Sequence, residues 1–190
     1  MVVARTGLLF FGQPILTLTE LSLRRADAKQ LWHLQSLFSS AAEVRQWGGE
    51  GFFYPLKHQQ FLQQLQLADT EAFVLTNANS LLAFGQICNR FDKIHLARLL
   101  VLPAFRRQGV ARPLIAGLLA QGLKQWPDRA ASLYVYKTNK IAIQSYQRFG
   151  FQAGPQPAAH RADLHFMTLP NLDCHHFAVD APVFISHGES

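Results

Sequence analysis

The stretch "FRRQGVARPL", residues 105–114, decides how this chain is read. Two arginines and a glutamine lead into a lone glycine, and an apolar helical pattern begins at once. A strand-like run, "KIHLARLLVLP" (93–103), precedes it, and Val110, Leu114, Ile115, Leu118, Leu119 and Leu123 follow at helical spacing. A turn of this kind presents several unpaired backbone N–H groups in one direction, at the positive end of the helix dipole. Gly109 lets main chain approach a ligand with no Cβ in the way. Arg106, Arg107 and Arg112 add formal charge, and Pro113 is tolerated where a first helical turn has no amide partner to lose. The stretch is read as an anion cradle suited to a pyrophosphate. It contains neither G-x-x-x-x-G-K-[ST] nor G-x-G-x-x-G, which sets aside a P-loop nucleotidase and a dinucleotide fold.

Outward from the cradle, the chain of 190 residues reads as one domain over 21–169, with extensions at 1–20 and 170–190. Toward the amino terminus, "LSLRRAD" (21–27) is a strand and turn, and Asp27 is placed to cap the following helix. "EVRQWGGEGFFYPL" (43–56) breaks periodicity with three glycines and a proline and reads as a loop, before helix returns over 56–68. "EAFVLTN" (71–77) and "LLAFGQICNRF" (81–91) form an antiparallel hairpin. Toward the carboxyl terminus come a strand (131–139), a short helix ended by Gly150, and a closing strand (162–170). The order β-α-α-β-β-β-α-β-α-β calls for a mixed α/β sheet with helices on both faces.

Composition narrows the classes. Hydrophobic content of 49% with 16% charged residues suits a globular protein, and no apolar run approaches the roughly 20 residues of a membrane span. The amino terminus lacks a convincing signal-cleavage pattern and is expected to pack as an extra strand or lie on the surface. Cys88 and Cys174 are far apart, which fits a reducing cytoplasm. The net charge of +6 arises from scattered residues, so a polyanionic small ligand explains it better than nucleic acid. "CHHF" (174–177) lacks the second half of a zinc motif, and no metal is expected.

A second motif, "LYVYKTNKIAIQSYQRFGF", carries Asn139, Ala142, Tyr146, Gly150 and Phe151 at fixed offsets. With Val101, Pro103, Arg106, Gly109 and Ala111 before it, the chain resembles the GNAT superfamily of acetyl-CoA-dependent N-acetyltransferases over roughly residues 21–169. The resemblance implies a mostly antiparallel sheet with a central V-shaped splay opened by a bulge. It implies that acetyl-CoA would be held at its pyrophosphate by amides from Gln108, Gly109, Val110 and Ala111, with Arg106 and Arg107 alongside. Backbone around Leu99, Leu100 and Val101 would pair with the pantetheine arm and polarise the thioester carbonyl. Asn139 would meet the cofactor near its pantetheine end, and Tyr146 would protonate the departing thiolate.

The acceptor side is less determined. An amine arrives as ammonium and must lose a proton before attack. Many family members resemble one another in placing a glutamate on the strand before the cradle; here "KIHLARLLV" has none, and His95 is its titratable group. Glu50 and Glu43 are alternatives. Trp47, Phe52, Phe53 and Tyr54, with Glu50, are read either as an acceptor wall or as a loop packed on the core by its aromatics. Tyr134 and Tyr136 share one strand face, expected beneath a helix. The expected reaction is direct transfer of acetyl to a primary amine of a small molecule or peptide in a ternary complex. The rival is an acyl-CoA-binding sensor or scaffold without turnover. Nucleic acid and membrane partners are not expected, a homodimer is possible, and the basic chain argues mildly against polyamine acceptors.

Overall fold

A computed structural model describes residues 21–66, 69–78, 80–157, 162–170 and 182–184. Both "CHHF" and the 1–20 segment lie outside the described residues. The elements run β1 (Leu21–Arg25), α1 (Ala28–Gln35), α2 (Ala41–Gly48), α3 (His58–Leu65), β2 (Thr70–Asn77), β3 (Ser80–Arg90) and β4 (Lys93–Val101). They continue with α4 (Ala111–Gln125), β5 (Ala131–Tyr136), α5 (Lys140–Phe149), β6 (Gln152–Ala153), β7 (Leu164–Leu169) and β8 (Val183–Phe184).

The strands form one sheet in the order β6-β7-β5-β4-β3-β2-β1-β8. Pairing is antiparallel except at β4–β5 and β1–β8. Alternation divides the strand residues between two cores. On one face Leu23, Ile87, Ile94 and Leu96 pack with Leu114 and Leu118 of α4. On the other, Val74, Phe84 and Leu100 pack with Leu31 and Leu34 of α1, Val44 of α2 and Phe61 of α3.

Local chemistry sets the helix boundaries. Asp27 accepts from the Gln30 amide at 2.7 Å while the Gln30 side chain accepts from the Asp27 amide at 3.0 Å, a reciprocal box that opens α1. Gly150 closes α5 at φ 118, the left-handed region where a side chain would be strained.

The segment 43–56 differs from the loop expected of it, because its first part is helix α2. Ser40 caps that helix by accepting from the Glu43 amide at 3.3 Å, and the Glu43 carboxylate accepts from the backbone and hydroxyl of Ser39. This Ser-x-x-Glu signature marks a helix start. Gly49, at φ 83, then ends the helix. The glycines therefore terminate a helix instead of running through an open loop.

Candidate active site

The centre of the site is an irregularity in β4. Ala97 pairs with Gln86 and Leu100 pairs with Phe84, so Arg98 and Leu99 together oppose the single residue Gly85. This is a β-bulge, with Arg98 at φ 50. Gly85 makes it possible: a Cβ there would stand 2.8 Å from Leu99 Cδ2 and 2.6 Å from Leu118 Cδ1. On its other edge β4 pairs with β5 only through Ile94, His95 and Leu96. Beyond Leu96 the two parallel strands diverge, and β5 continues against β7 alone through Tyr134, Val135 and Tyr136. The result is a V whose open end lies beside Leu99, Leu100 and Val101.

The cradle follows directly. A short 3₁₀ turn over Pro103–Phe105 leads to Arg107 at φ 63, Gly109 at φ 80 and Val110 at φ −61. Left- and right-handed residues in alternation point successive N–H groups into one concavity, the backbone geometry that binds anions. Among the described residues, the amides of Gln108, Gly109 and Val110 make no loop or turn hydrogen bond, and α4 has no side-chain cap. Arg106 Nε donates to the Val101 carbonyl at 3.1 Å, which joins the mouth of the V to the cradle. Gln108 folds back onto Ala104 O at 2.9 Å. Arg112 lies over the Phe149 ring at 5.4 Å and ties the start of α4 to α5.

Asn139 is the N-cap of α5, its side-chain oxygen accepting from the Ala142 amide at 3.2 Å. Tyr146 is half-buried against the α4 core with its ring 6.2 Å from Phe151, and burial pushes its hydroxyl up to about 12. It therefore stays protonated at physiological pH and remains a hydrogen-bond donor.

The residues read as an acceptor wall do not gather in one place. Trp47 stacks among Phe38, Phe52, Phe61 and Phe84, and its indole N–H donates to the Arg98 carbonyl at 2.9 Å. It ties α2 to the bulge. Tyr54 lines a groove of about 320 Å³ with Trp32, Gln35, Ser36, Pro55 and Leu56. Phe53 is exposed. Glu50 is exposed and faces Arg45 at 3.6 Å. Glu43 is held below the ordinary carboxylate range by its hydrogen bonds from Ser39.

His95 is set apart from the open end of the V. It lies within the paired part of β4 and β5, 4% exposed, with Nδ1 2.9 Å from Ser132 Oγ. Phe91 and Tyr134 meet its ring edge-on. Burial, with Arg90 and Arg98 nearby, pushes its pKa down to about 3. An imidazole that weak captures almost no proton from an ammonium near neutral pH, which is the physical reason against the role the sequence suggested for it. Tyr134 joins Phe91, His95 and Phe166 in this aromatic group on the face opposite α4.

Arg98 is the site residue that sequence reading passed over. Its guanidinium donates to Gln86 Oε1 at 2.7 Å and lies 5.1 Å above the Phe52 ring. The available signal was a charged residue inside the apolar run "LARLLV", where strict alternation fails.

Among the described residues no helix is long and apolar enough to cross a membrane, and no group of three His, Cys, Asp or Glu side chains could hold a metal ion.

Comparisons with known proteins agree with this geometry. The fold resembles the spermidine N-acetyltransferase of Vibrio cholerae, solved in complex with CoA and spermine, with TM-score 0.64 and 16% identity over 80% of this chain and 95% of that one. It also resembles the ribosomal-protein-S18-alanine N-acetyltransferase of Escherichia coli, with TM-score 0.58 and 23% identity over 79% of this chain and 93% of that one. The model of the acetyltransferase (GNAT) family matches residues 36–151, from the end of α1 through Phe151. With that match over more than half its length, and with the splayed sheet and cradle in place, the chain belongs to the GNAT family and is an acyltransferase.

Proposed function

We propose that the protein transfers acetyl from acetyl-CoA to a primary amine by direct attack in a ternary complex. The observation that carries this reading is the cradle: Gln108, Gly109 and Val110 offer unpartnered amides beside a strand edge that has parted from its neighbour. Such amides bind phosphate oxygens without desolvating any competing partner. Arg107 adds positive charge at the same turn. The residues present thus fit a CoA pyrophosphate at the cradle and an extended pantetheine along Leu99, Leu100 and Val101, on the β4 edge that β5 has left, with the Val101 carbonyl accepting from Arg106.

Acetyl-CoA supplies an activated acyl group on a thioester. The protein positions the thioester carbonyl against main-chain amides at the mouth of the V and keeps a phenol, Tyr146, ready to donate to the leaving sulfur. Asn139 acts by fixing the first turn of α5, which carries Tyr146. Of the three proton acceptors read from the sequence, Glu50, exposed and facing Arg45 at 3.6 Å, is the one we assign to take the ammonium proton directly or through water. Cys88 supports direct transfer, since burial pushes its thiol up and away from nucleophilic character.

Calorimetric titration with acetyl-CoA tests the reading, repeated on Gly109→Glu. Micromolar binding that the variant loses, followed by thiol release on an amine panel, is the expected outcome. A folded, CoA-free protein that does not bind acetyl-CoA would overturn it.

A further inference from the structure

We infer that the acceptor carries a carboxylate close to its amine, and that Arg98 receives it. The inference rests on the acetyl-transfer reading above and narrows its substrate class to amino acids and related amino-carboxylates.

Arg98 stands at the bulge, its carbonyl accepting from the Trp47 indole, and its side chain lies on the opposite sheet face from α4, beside Phe52 and Gln86. Its setting differs from that of a surface cation. Gln86 is fully buried, and its own amide is spent on the Leu65 carbonyl at 2.7 Å, so the Oε1 that meets Arg98 is held in place. The Phe52 ring covers one face of the guanidinium. Arg98 Nε is buried without a hydrogen-bond partner among the described residues. A guanidinium has five donors in a rigid planar fork; here one is fixed on Gln86 and the Nε–H is unsatisfied.

No ion pair among the described residues involves Arg98. Of the groups acting on it electrostatically, Cys88 has its thiol pushed up by burial, away from the thiolate, and Arg90 is of its own sign. Arg90, at the end of β3 and over the Phe91 ring at 4.9 Å, acts electrostatically on Arg98, Cys88, His95 and Tyr134 alike. His95 is neutral. Asp69, just before β2, influences Cys88 without pairing with Arg98. Burying a cation is costly unless a counter-charge and hydrogen bonds satisfy it. An acceptor's carboxylate would supply both, with the bidentate geometry that guanidinium favours. A polycation would instead meet two uncompensated arginines.

The test uses matched pairs that share an amine and differ in the anion: amino acids against their carboxamides, with spermidine alongside. Each is titrated calorimetrically into CoA-saturated protein and assayed for thiol release with acetyl-CoA. We expect the carboxylates to bind at least ten-fold more tightly than their carboxamides. Arg98→Gln should erase that preference and Arg98→Lys should keep part of it. Equal binding within pairs, tighter binding of carboxamides or spermidine, or no binding by any carboxylate overturns the inference. These wild-type comparisons decide the matter even where a variant fails to fold. Carboxylate-selective binding with no thiol release from any pair would uphold Arg98's role and overturn acetyl transfer instead.

Discussion

Replacing Trp47 with Phe separates a structural tryptophan from one that touches substrate. The indole N–H donates to the Arg98 carbonyl at 2.9 Å, and phenylalanine has no donor to offer. The carbonyl it leaves is at a bulge already held at φ 50, so no ladder bond replaces it. Leaving a part-buried acceptor unsatisfied costs about 1–3 kcal/mol. The smaller ring also weakens packing with Phe38, Phe52, Phe61 and Phe84, and such aromatic pairs contribute about 0.5–1.5 kcal/mol each. Phenylalanine retains most of that packing, so the hydrogen bond dominates and the sum is about 2–3 kcal/mol. At about 2–4 °C per kcal/mol for a chain of this size, Tm should fall by about 4–12 °C. Urea denaturation with unchanged m-value and differential scanning calorimetry measure it. Acetyl-CoA affinity should weaken too, because the bulge shapes the V. An unchanged Tm with a raised KM for the amine alone would refute this reasoning and restore Trp47 to an acceptor wall.

Tyr146→Phe should leave acetyl-CoA affinity within two-fold and lower kcat by about 10²–10⁴, the usual contribution of a positioned acid, as read by thiol release and calorimetry together; a fully active variant would remove Tyr146 from the chemistry and a weakened affinity would make its role structural. His95 gives a pH signature of known sign. Its folded pKa of about 3 lies below the unfolded value, so the unfolded chain binds its proton first, and stability falls as pH drops from about 6.5 toward 3. The limiting slope is about 1.4 kcal/mol per pH unit. Denaturation at pH 7.5, 6 and 5 should show the decline, and His95→Gln should flatten it while leaving the pH–rate profile near neutrality unchanged; a lost limb in that profile would return His95 to catalysis. Gly122→Ala would place a Cβ 2.5 Å from Ile94 Cγ2 beneath α4, and should cost about 1–3 kcal/mol in chemical denaturation; a neutral result would mean that α4 shifts freely on the sheet.

The sheet and the cradle were legible because each depends on local pattern. Alternation in the two runs 71–77 and 81–91 gives the β2–β3 hairpin, and Gly109 and Gly150 sit where the chain takes positive φ. The acceptor side was harder to read because its residues act through distant partners. Trp47 lies in a glycine-rich stretch that invites a surface reading, yet its N–H is used 51 residues away. Nothing in "KIHLARLLV" alone says that Gly85 faces two residues at once. His95 looks like a base until its burial beside Ser132 and Tyr134 is known. Helix α2 had a signature, Ser40 three residues before Glu43, which the following glycines obscured.

The margins of the sheet bear on how copies of this protein can meet. Among the described residues the sheet ends in β6 on one side and β8 on the other, each of two residues. A two-residue strand offers too short a row of free N–H and C=O groups to template another chain, which is how native proteins discourage edge-to-edge growth. The longer β1 would be an inviting border, but β8 lies along it in parallel, with Pro182 against the helix position of Gly117. Joining two sheets through β1 would first require peeling that carboxyl-terminal stopper away. A truncation before Pro182 should uncover β1 and favour lateral pairing between copies, read by light scattering.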